Sequence, residues 1–158
     1  MTAKGNALLD DDNKITGSYI SRGALYISTP GATTITNAGT FYLLQGVSTA
    51  QLGLNGFTHS SPGRLTYTGT VTRGFTVHGD ICITSSANNI VVKIRIAKNG
   101  ITEAGSEKSM TKTTGTDTRA IPCNWEVSLA TNDYIEFYVT CDNAGSIITA
   151  TSGTLMAD

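Results

Sequence analysis

The stretch NWEVSLATNDYIEFYVTC, residues 124–141, contains two alternating segments joined by a short polar turn. In the second segment, apolar Ile135, Phe137 and Val139 alternate with tyrosines and polar residues. The first segment, from Trp125 to Leu129, alternates in the same way. A period of two places successive side chains on opposite faces of a strand. The stretch therefore predicts two strands, each with one apolar face turned towards a core.

Strand signals recur on both sides of this stretch. GFTVHGDICIT (74–84) and NIVVKIRIAKNG (89–100) alternate clearly, and the second ends at an Asn-Gly pair that favours a tight hairpin. Shorter glycine-separated segments precede them, and no run of ten or more residues has the period of an amphipathic helix. About eight short strands predict an all-β sandwich or barrel. The long polar stretch 102–120 suits a Greek-key crossover, which favours a jelly-roll β-sandwich.

Composition supports this fold class and excludes several partners. Only 15% of the 158 residues are charged, against about 25% in an average soluble protein. The net charge of −1 gives no electrostatic reason to expect binding to nucleic acid or to an anionic membrane. No apolar run approaches the length of a membrane span. The N-terminus lacks the apolar core of a signal peptide, which predicts a protein made in a cytoplasm and kept there, or released by assembly or lysis.

The chain divides into two regions. Residues 1–28 contain an acidic run, Asp10-Asp11-Asp12, followed by short apolar pieces without helical period. We interpret them as an extended N-terminal arm with one or two short strands, used for attachment. Residues 29–158 form the predicted jelly-roll domain.

Residue types that carry catalysis do not occur at catalytic spacing. His59 and His78 have no partners at zinc-ligand spacing, and no phosphate-binding loop or nucleophile elbow is present. Cys82, Cys123 and Cys141 show no CxxC spacing, and we expect them to be small buried or strand residues, with any pairing left open. The prediction is a protein that is not an enzyme and needs no cofactor or metal.

Several motifs in a fixed order carry a resemblance. These are Tyr67 with Gly69, then Lys98-Asn99-Gly100, then Leu129 followed by Asp133 and the alternating strand to Val139. Residues 30–158 resemble jelly rolls of the tumour necrosis factor and complement globular-head type, above all those of bacteriophage fibres, head fibres and capsid decoration proteins. The resemblance implies a homotrimer that packs aromatic side chains of one sheet face around a threefold axis.

Aromatic residues on two segments are the candidate trimer contacts. Tyr134 and Tyr138 lie on the face opposite Ile135, Phe137 and Val139, so they point away from the predicted core. Tyrosine has an apolar body and a polar tip, which suits a partly wet interface. A second run, Phe41-Tyr42-Leu43-Leu44, is apolar on both faces and adds Phe41 and Tyr42 to the candidates.

The leading hypothesis is a structural protein of a tailed phage virion. It would be a trimeric capsid decoration (cement) protein, made in the host cytoplasm and located on the capsid surface, where it binds the major capsid protein and stabilises the head. The candidate attachment residues are Asp10, Asp11, Asp12, Tyr19 and Arg22.

Two alternatives remain open at this point. The first is the receptor-binding head domain of a tail fibre or spike, with a host glycan as ligand and Asn88-Asn89 or Asp142-Asn143 as candidate contacts. The second is a small jelly-roll enzyme or sugar-binding module of a cell. It predicts a metal site or a clustered acid pair, which the sequence does not display.

Overall fold

The computed structural model describes residues 21–51 and 53–158, which form two antiparallel sheets packed face to face. A 3-10 turn spans Ala104–Ser106. The twelve strands are β1 Gly23–Thr34, β2 Tyr42–Leu43, β3 Gly46–Ala50, β4 Phe57–Ser60, β5 Arg64–Tyr67, β6 Arg73–Ser85, β7 Ile90–Lys98, β8 Ile101–Thr102, β9 Lys108–Lys112, β10 Arg119–Leu129, β11 Tyr134–Cys141 and β12 Ile147–Ala157.

The strand order identifies the sandwich as a jelly roll. One sheet has the order β10-β6-β12-β1-β3, and the other has the order β4-β5-β11-β7-β8, with β2 beside β11 and β9 beside β7. From β5 onwards, every connection between long strands crosses from one sheet to the other. The all-β jelly-roll prediction is confirmed.

The core lies between the sheets and is filled by the predicted alternating positions. On β11, Ile135 and Val139 are fully buried and Phe137 is 5% exposed, as the sequence predicts. Phe57, Tyr67 and Phe75 form a triangle of rings with centroids 5.0, 5.1 and 5.3 Å apart, at tilted or edge-on angles that aromatic pairs prefer. The predicted inward-facing residues of β6 and β7 are buried as well: Phe75, Val77, Ile81, Ile83, Val92, Ile94 and Ile96.

The boundary between arm and domain lies earlier than predicted. Residues 23–28 belong to β1, which pairs with both β12 and β3 and buries Leu25 and Ile27 in the core. Just before it, Arg22 exchanges two backbone hydrogen bonds with Asn55, at 2.8 and 2.9 Å. Asp10, Asp11, Asp12 and Tyr19 lie outside the described residues.

The stretch 102–120 is not a single polar loop. It contains β9, which the polar sequence KSMTK conceals and which pairs with β7. Lys112, at the end of β9, is completely buried, and its ammonium group donates to the backbone carbonyls of Ile83 and Asp117. Burial lowers the pKa of this amine. The crossover to the other sheet is therefore confined to residues 113–118.

Candidate functional surfaces

The outward side of the seven-stranded sheet, which we call the seven-stranded face, carries paired charges. Arg64 on β5, Glu136 on β11 and Arg95 on β7 occupy positions opposite the core-facing residues of their strands. Lys93 on β7 and Glu107, just before β9, complete the set. The face is therefore rich in charge, but its charges have partners within the chain.

The first unit of this face centres on Arg64. Its Nε and Nη2 both lie 2.8 Å from Oε1 of Glu136, whose side chain is only 1% exposed. The guanidinium carbon stands 3.8 Å from the centroid of the Tyr134 ring. A carboxylate buried to this degree needs a cationic partner, and the ring holds that partner in place.

The second unit repeats this arrangement around Arg95. Its guanidinium carbon lies 4.2 Å from the centroid of the Phe41 ring, and its Nη2 lies 2.6 Å from Oε2 of Glu107. Lys93 Nζ approaches the other oxygen of Glu107 at 2.8 Å. Hydrogen bonds from Lys93 and then Arg95 lower the pKa of Glu107. Both units thus combine an arginine, an aromatic ring and a carboxylate.

Three of the four candidate trimer residues gather on this face. Tyr134 and Phe41 each have an arginine against their ring. Tyr138 is half-buried, and burial, followed by the charge of Glu136, raises the pKa of its hydroxyl group. Tyr42 is different, because its ring packs against the core and its hydroxyl oxygen accepts the backbone N–H of Asn37 at 2.9 Å.

The outward side of the five-stranded sheet, which we call the five-stranded face, has another character. Six large hydrophobic side chains are exposed in the described part of the chain, and four of them belong to this sheet: Tyr26, Val47, Ile147 and Met156. Among the described residues that point outward from these strands, none is Lys or Arg, because Arg73 and Arg119 stand at strand ends in line with core-facing positions. This surface was not identified from the sequence.

Strand register places Tyr26 and Met156 near one another on the adjacent strands β1 and β12. Tyr26 stands opposite Thr154 on β12 and Thr49 on β3. Met156, two residues along β12, stands opposite His78 on β6. The cross-strand partners of the two large side chains are thus two threonines, an alanine and a histidine. The carboxylate of Asp80 also lies on this face, where it accepts a 2.5 Å hydrogen bond from the Thr154 hydroxyl.

Two motifs that carry the family resemblance meet at one end of the sandwich. Asn99 Nδ2 donates to Asp133 Oδ1 at 2.7 Å, and Lys98 Nζ lies 2.8 Å from Asp133 Oδ2. Asn99 also accepts the backbone N–H of Tyr134 at 2.9 Å, and the backbone N–H of Ala130 donates to Asp133. The bonds from Lys98 and then Asn99 lower the pKa of Asp133 to about 2. Lys98-Asn99-Gly100 thus closes the turn between β10 and β11.

The remaining ionisable groups of the described residues lie apart from one another or in isolated pairs. Among residues 21–51 and 53–158, no group of three or more His, Cys, Asp or Glu side chains is placed to hold a metal ion. Nor does this part of the chain contain a helix long and apolar enough to cross a membrane. His78 Nε2 lies 3.7 Å from a carboxylate oxygen of Asp158, and His59 Nε2 lies 2.7 Å from the Ser48 hydroxyl.

The cysteines are structural, as predicted. Cys82, Cys123 and Cys141 are all free thiols in strands, and the latter two are buried. Burial raises the pKa of Cys123 to about 11, and its thiol donates to the backbone carbonyl of Ser106. A thiol that stays protonated is a poor nucleophile.

The residues considered for glycan contact act in turns. Asn88 Oδ1 accepts the backbone N–H of Gly115 at 2.6 Å, and Asn89 adopts a positive φ of 52°. Asp142 Oδ1 accepts the backbone N–H of Val91 at 2.9 Å. Of these residues, Asp142 also borders a groove on the seven-stranded face.

No family model matches the sequence, and no curated protein matches it either. Among solved structures, murine APRIL is similar over 85% of this chain and 98% of its own, with 9% identity and a TM-score of 0.48. Eiger TNF from S. frugiperda is similar over 87% of this chain and 90% of its own, with 12% identity and a TM-score of 0.47. A Podospora anserina GH26-CBM35 β-(1,4)-mannanase is similar over 82% of this chain and 28% of its own, with 13% identity and a TM-score of 0.32. The assignment to the jelly-roll class rests on the strand order itself.

Proposed function

We propose that this chain is a non-enzymatic structural protein of a tailed phage virion, a trimeric capsid decoration protein that acts through self-association. The observation that carries the proposal is the five-stranded face, where Tyr26 and Met156 stand exposed and have no Lys or Arg among their cross-strand neighbours. Large apolar side chains that stand exposed near one another are a feature of interaction sites on soluble proteins.

The chemistry of the five-stranded face suits contact with another copy. Protein interfaces are enriched in Tyr and Met and depleted of Lys, and this face follows both trends. Its short Thr and Ser side chains lose little conformational entropy when they are covered. A head-to-tail contact between copies closes into a ring when its rotation allows, and a threefold ring is the form that the family resemblance implies.

The other surfaces supply the proposed contact with the capsid. The seven-stranded face lies on the opposite side of the sandwich from the five-stranded face, and the proposed attachment segment is the sequence before Arg22. Asp10, Asp11, Asp12 and Tyr19 lie on that segment and are the proposed contacts with the major capsid protein. Stabilisation of the head would come from buried surface in many modest contacts rather than from a reaction.

A receptor-binding head domain of a tail fibre or spike is the second candidate. One observation favours it, namely the groove beside Asp142 on the seven-stranded face. This candidate shares the trimer but replaces the capsid protein with a host glycan as the external partner.

Two measurements test the leading proposal in sequence. Light scattering at micromolar concentration is expected to give a mass of three protomers, and a monomer would overturn the proposal at its first step.

Phage heads that lack decoration are then mixed with the full chain and with a chain that begins at Ser21, which leaves β1 intact. Binding of the full chain alone is expected. Equal binding of both would exclude attachment through residues 1–20.

A further inference from the structure

A groove of about 410 Å³ crosses the seven-stranded face beside the N-terminal half of β7. Its walls include the Phe41 ring, the Lys93 and Arg95 side chains, Glu107 and Asp142. Small-molecule sites typically occupy about 300 to 1,000 Å³ and combine aromatic walls with a few converging polar groups. The groove therefore has the size and the lining of a ligand site.

The polar groups of the groove are held in fixed positions. The Asp142 carboxylate is tied to the backbone of Val91, and Glu107 receives Lys93 on one oxygen and Arg95 on the other. The Phe41 ring is fixed against the Arg95 guanidinium. A ligand entering here meets groups that are already ordered, so little entropy is lost on binding.

The charges of the groove define the class of ligand. Lys93 and Arg95 balance Glu107 and Asp142, so the lining has no net charge. An anionic ligand would meet the carboxylates of Glu107 and Asp142 beside the two cations, whereas a hydroxyl group both donates and accepts and is able to bridge an ammonium and a carboxylate. Phe41 adds an apolar wall. The complement of this lining is a neutral polyhydroxylated ring with one apolar face.

We propose that the groove between Phe41, Lys93 and Asp142 binds a neutral pyranose unit of a glycan. The site lies on the seven-stranded face, so it stays open when the five-stranded faces associate. The proposal does not depend on self-association, and it is compatible with either a decoration protein or a receptor-binding head. The sequence offers two candidate sugar contacts, Asn88-Asn89 and Asp142-Asn143. The proposal places the sugar at Asp142, which lines the groove.

Saturation-transfer difference NMR of the full chain tests the site with methyl α-D-glucopyranoside, methyl α-D-galactopyranoside, methyl α-D-mannopyranoside and methyl β-D-glucuronide as probes. A single sugar ring of about a dozen non-hydrogen atoms is expected to bind with a Kd in the millimolar range. At least one neutral pyranoside is expected to bind more tightly than the glucuronide. Tighter binding of the glucuronide would overturn the proposal. So would the absence of binding by every neutral pyranoside at a sugar concentration about ten times the expected Kd.

Three variants locate the binding. Asp142→Asn keeps an oxygen for the Val91 N–H but removes the charge, and Lys93→Met removes the ammonium group. Each is expected to raise the Kd of the bound pyranoside about tenfold. Asp117→Asn, an exposed carboxylate on the loop 113–118, is the matched control and should leave the Kd unchanged. Equal Kd values for all three would place the sugar outside the groove. Light scattering on the same samples reports self-association separately.

Discussion

The two outer faces of the sandwich enclose the same core but differ in whether their outward side chains have partners within the chain. On the seven-stranded face, three ion pairs and two arginine–ring stacks satisfy the charged groups within the chain. On the five-stranded face, Tyr26, Val47 and Met156 remain exposed, and the ion pair nearest them joins His78 to Asp158 at 3.7 Å. Outward position alone therefore does not identify a contact surface. What distinguishes the faces is whether the outward side chains already have partners.

This difference favours the five-stranded face over the seven-stranded face as the subunit contact. The rings of Tyr134 and Phe41 are packed against arginines, and using either in a subunit interface would require the arginine to move or to be buried with it. Burying Arg64 or Arg95 costs desolvation that a partner would have to offset. Covering Tyr26 and Met156 desolvates no Lys or Arg, because neither type stands among their cross-strand neighbours. The acidic group beside them, Asp80, already accepts a hydrogen bond from Thr154.

The comparison is tested most directly by placing one negative charge on each face. Tyr26→Asp is expected to reduce the mass in solution from three protomers to one, because an unpaired carboxylate in an apolar interface is costly. Tyr138→Asp on the opposite face is the matched control and should leave the mass unchanged. Light scattering measures both. The reverse result would return the interface to the Tyr134 and Tyr138 pair that the sequence suggests.

A second comparison uses adjacent positions on β11. Phe137 is 5% exposed and points into the core, so Phe137→Ala is expected to lower the free energy of unfolding by about 3 to 5 kcal/mol. Tyr138→Ala, on the outward side of the same strand, should cost about 1 kcal/mol. Urea unfolding measures the two values. Similar losses would mean that the outward side contributes as much to stability as the core.

The sequence predicts the fold well because strand alternation is a local signal. On β6 and β10 the buried positions follow the period of two, as they do on β7 as far as Ile96, whereas on β11 Glu136 and Thr140 are buried as well. The Asn99-Gly100 turn adopts the positive φ angles that its residues favour. β9 was missed because its sequence is polar and its inward lysine, Lys112, is buried against carbonyls rather than among apolar residues.

The surfaces are less predictable, because they depend on contacts between residues far apart in the chain. Arg64 and Glu136 are separated by 72 positions, and nothing local indicates that the arginine covers Tyr134. On the five-stranded face, Tyr26 and Met156 come together through the register of two paired strands, β1 and β12, that are far apart in the chain. Sequence alternation identifies outward residues, but only the topology reveals their neighbours.

The third prediction concerns the ion pair between Arg64 and Glu136 on the seven-stranded face. Arg64→Met leaves the buried carboxylate of Glu136 without its cation. We expect a loss of about 2 kcal/mol in the free energy of unfolding, below the range for fully buried pairs because Arg64 is partly exposed. Adding Glu136→Gln should recover part of the loss in a double-mutant cycle. No coupling between the two substitutions would mean that this pair does not hold the face together.

The smallest expected effect concerns Asp133 in the turn between β10 and β11. The pKa of Asp133 is about 2 in the folded chain, below its ordinary value of 3.8, so the folded state binds this proton less readily than the unfolded state. The resulting stability is complete above about pH 5 and is lost as the pH falls through 2. Asp133→Asn should therefore cost about 1 kcal/mol at pH 7 and almost nothing at pH 2.

Urea unfolding at several pH values measures this dependence, with Glu126→Gln, an exposed carboxylate on β10, as a control of the same chemistry. A cost for Asp133→Asn that stays constant from pH 7 to pH 2 would assign the role of Asp133 to its hydrogen bonds from Asn99 and Ala130, not to its charge. Such a result would also separate the turn from the seven-stranded face. There charge pairing holds the side chains in place, whereas at the turn neutral hydrogen bonds would be sufficient.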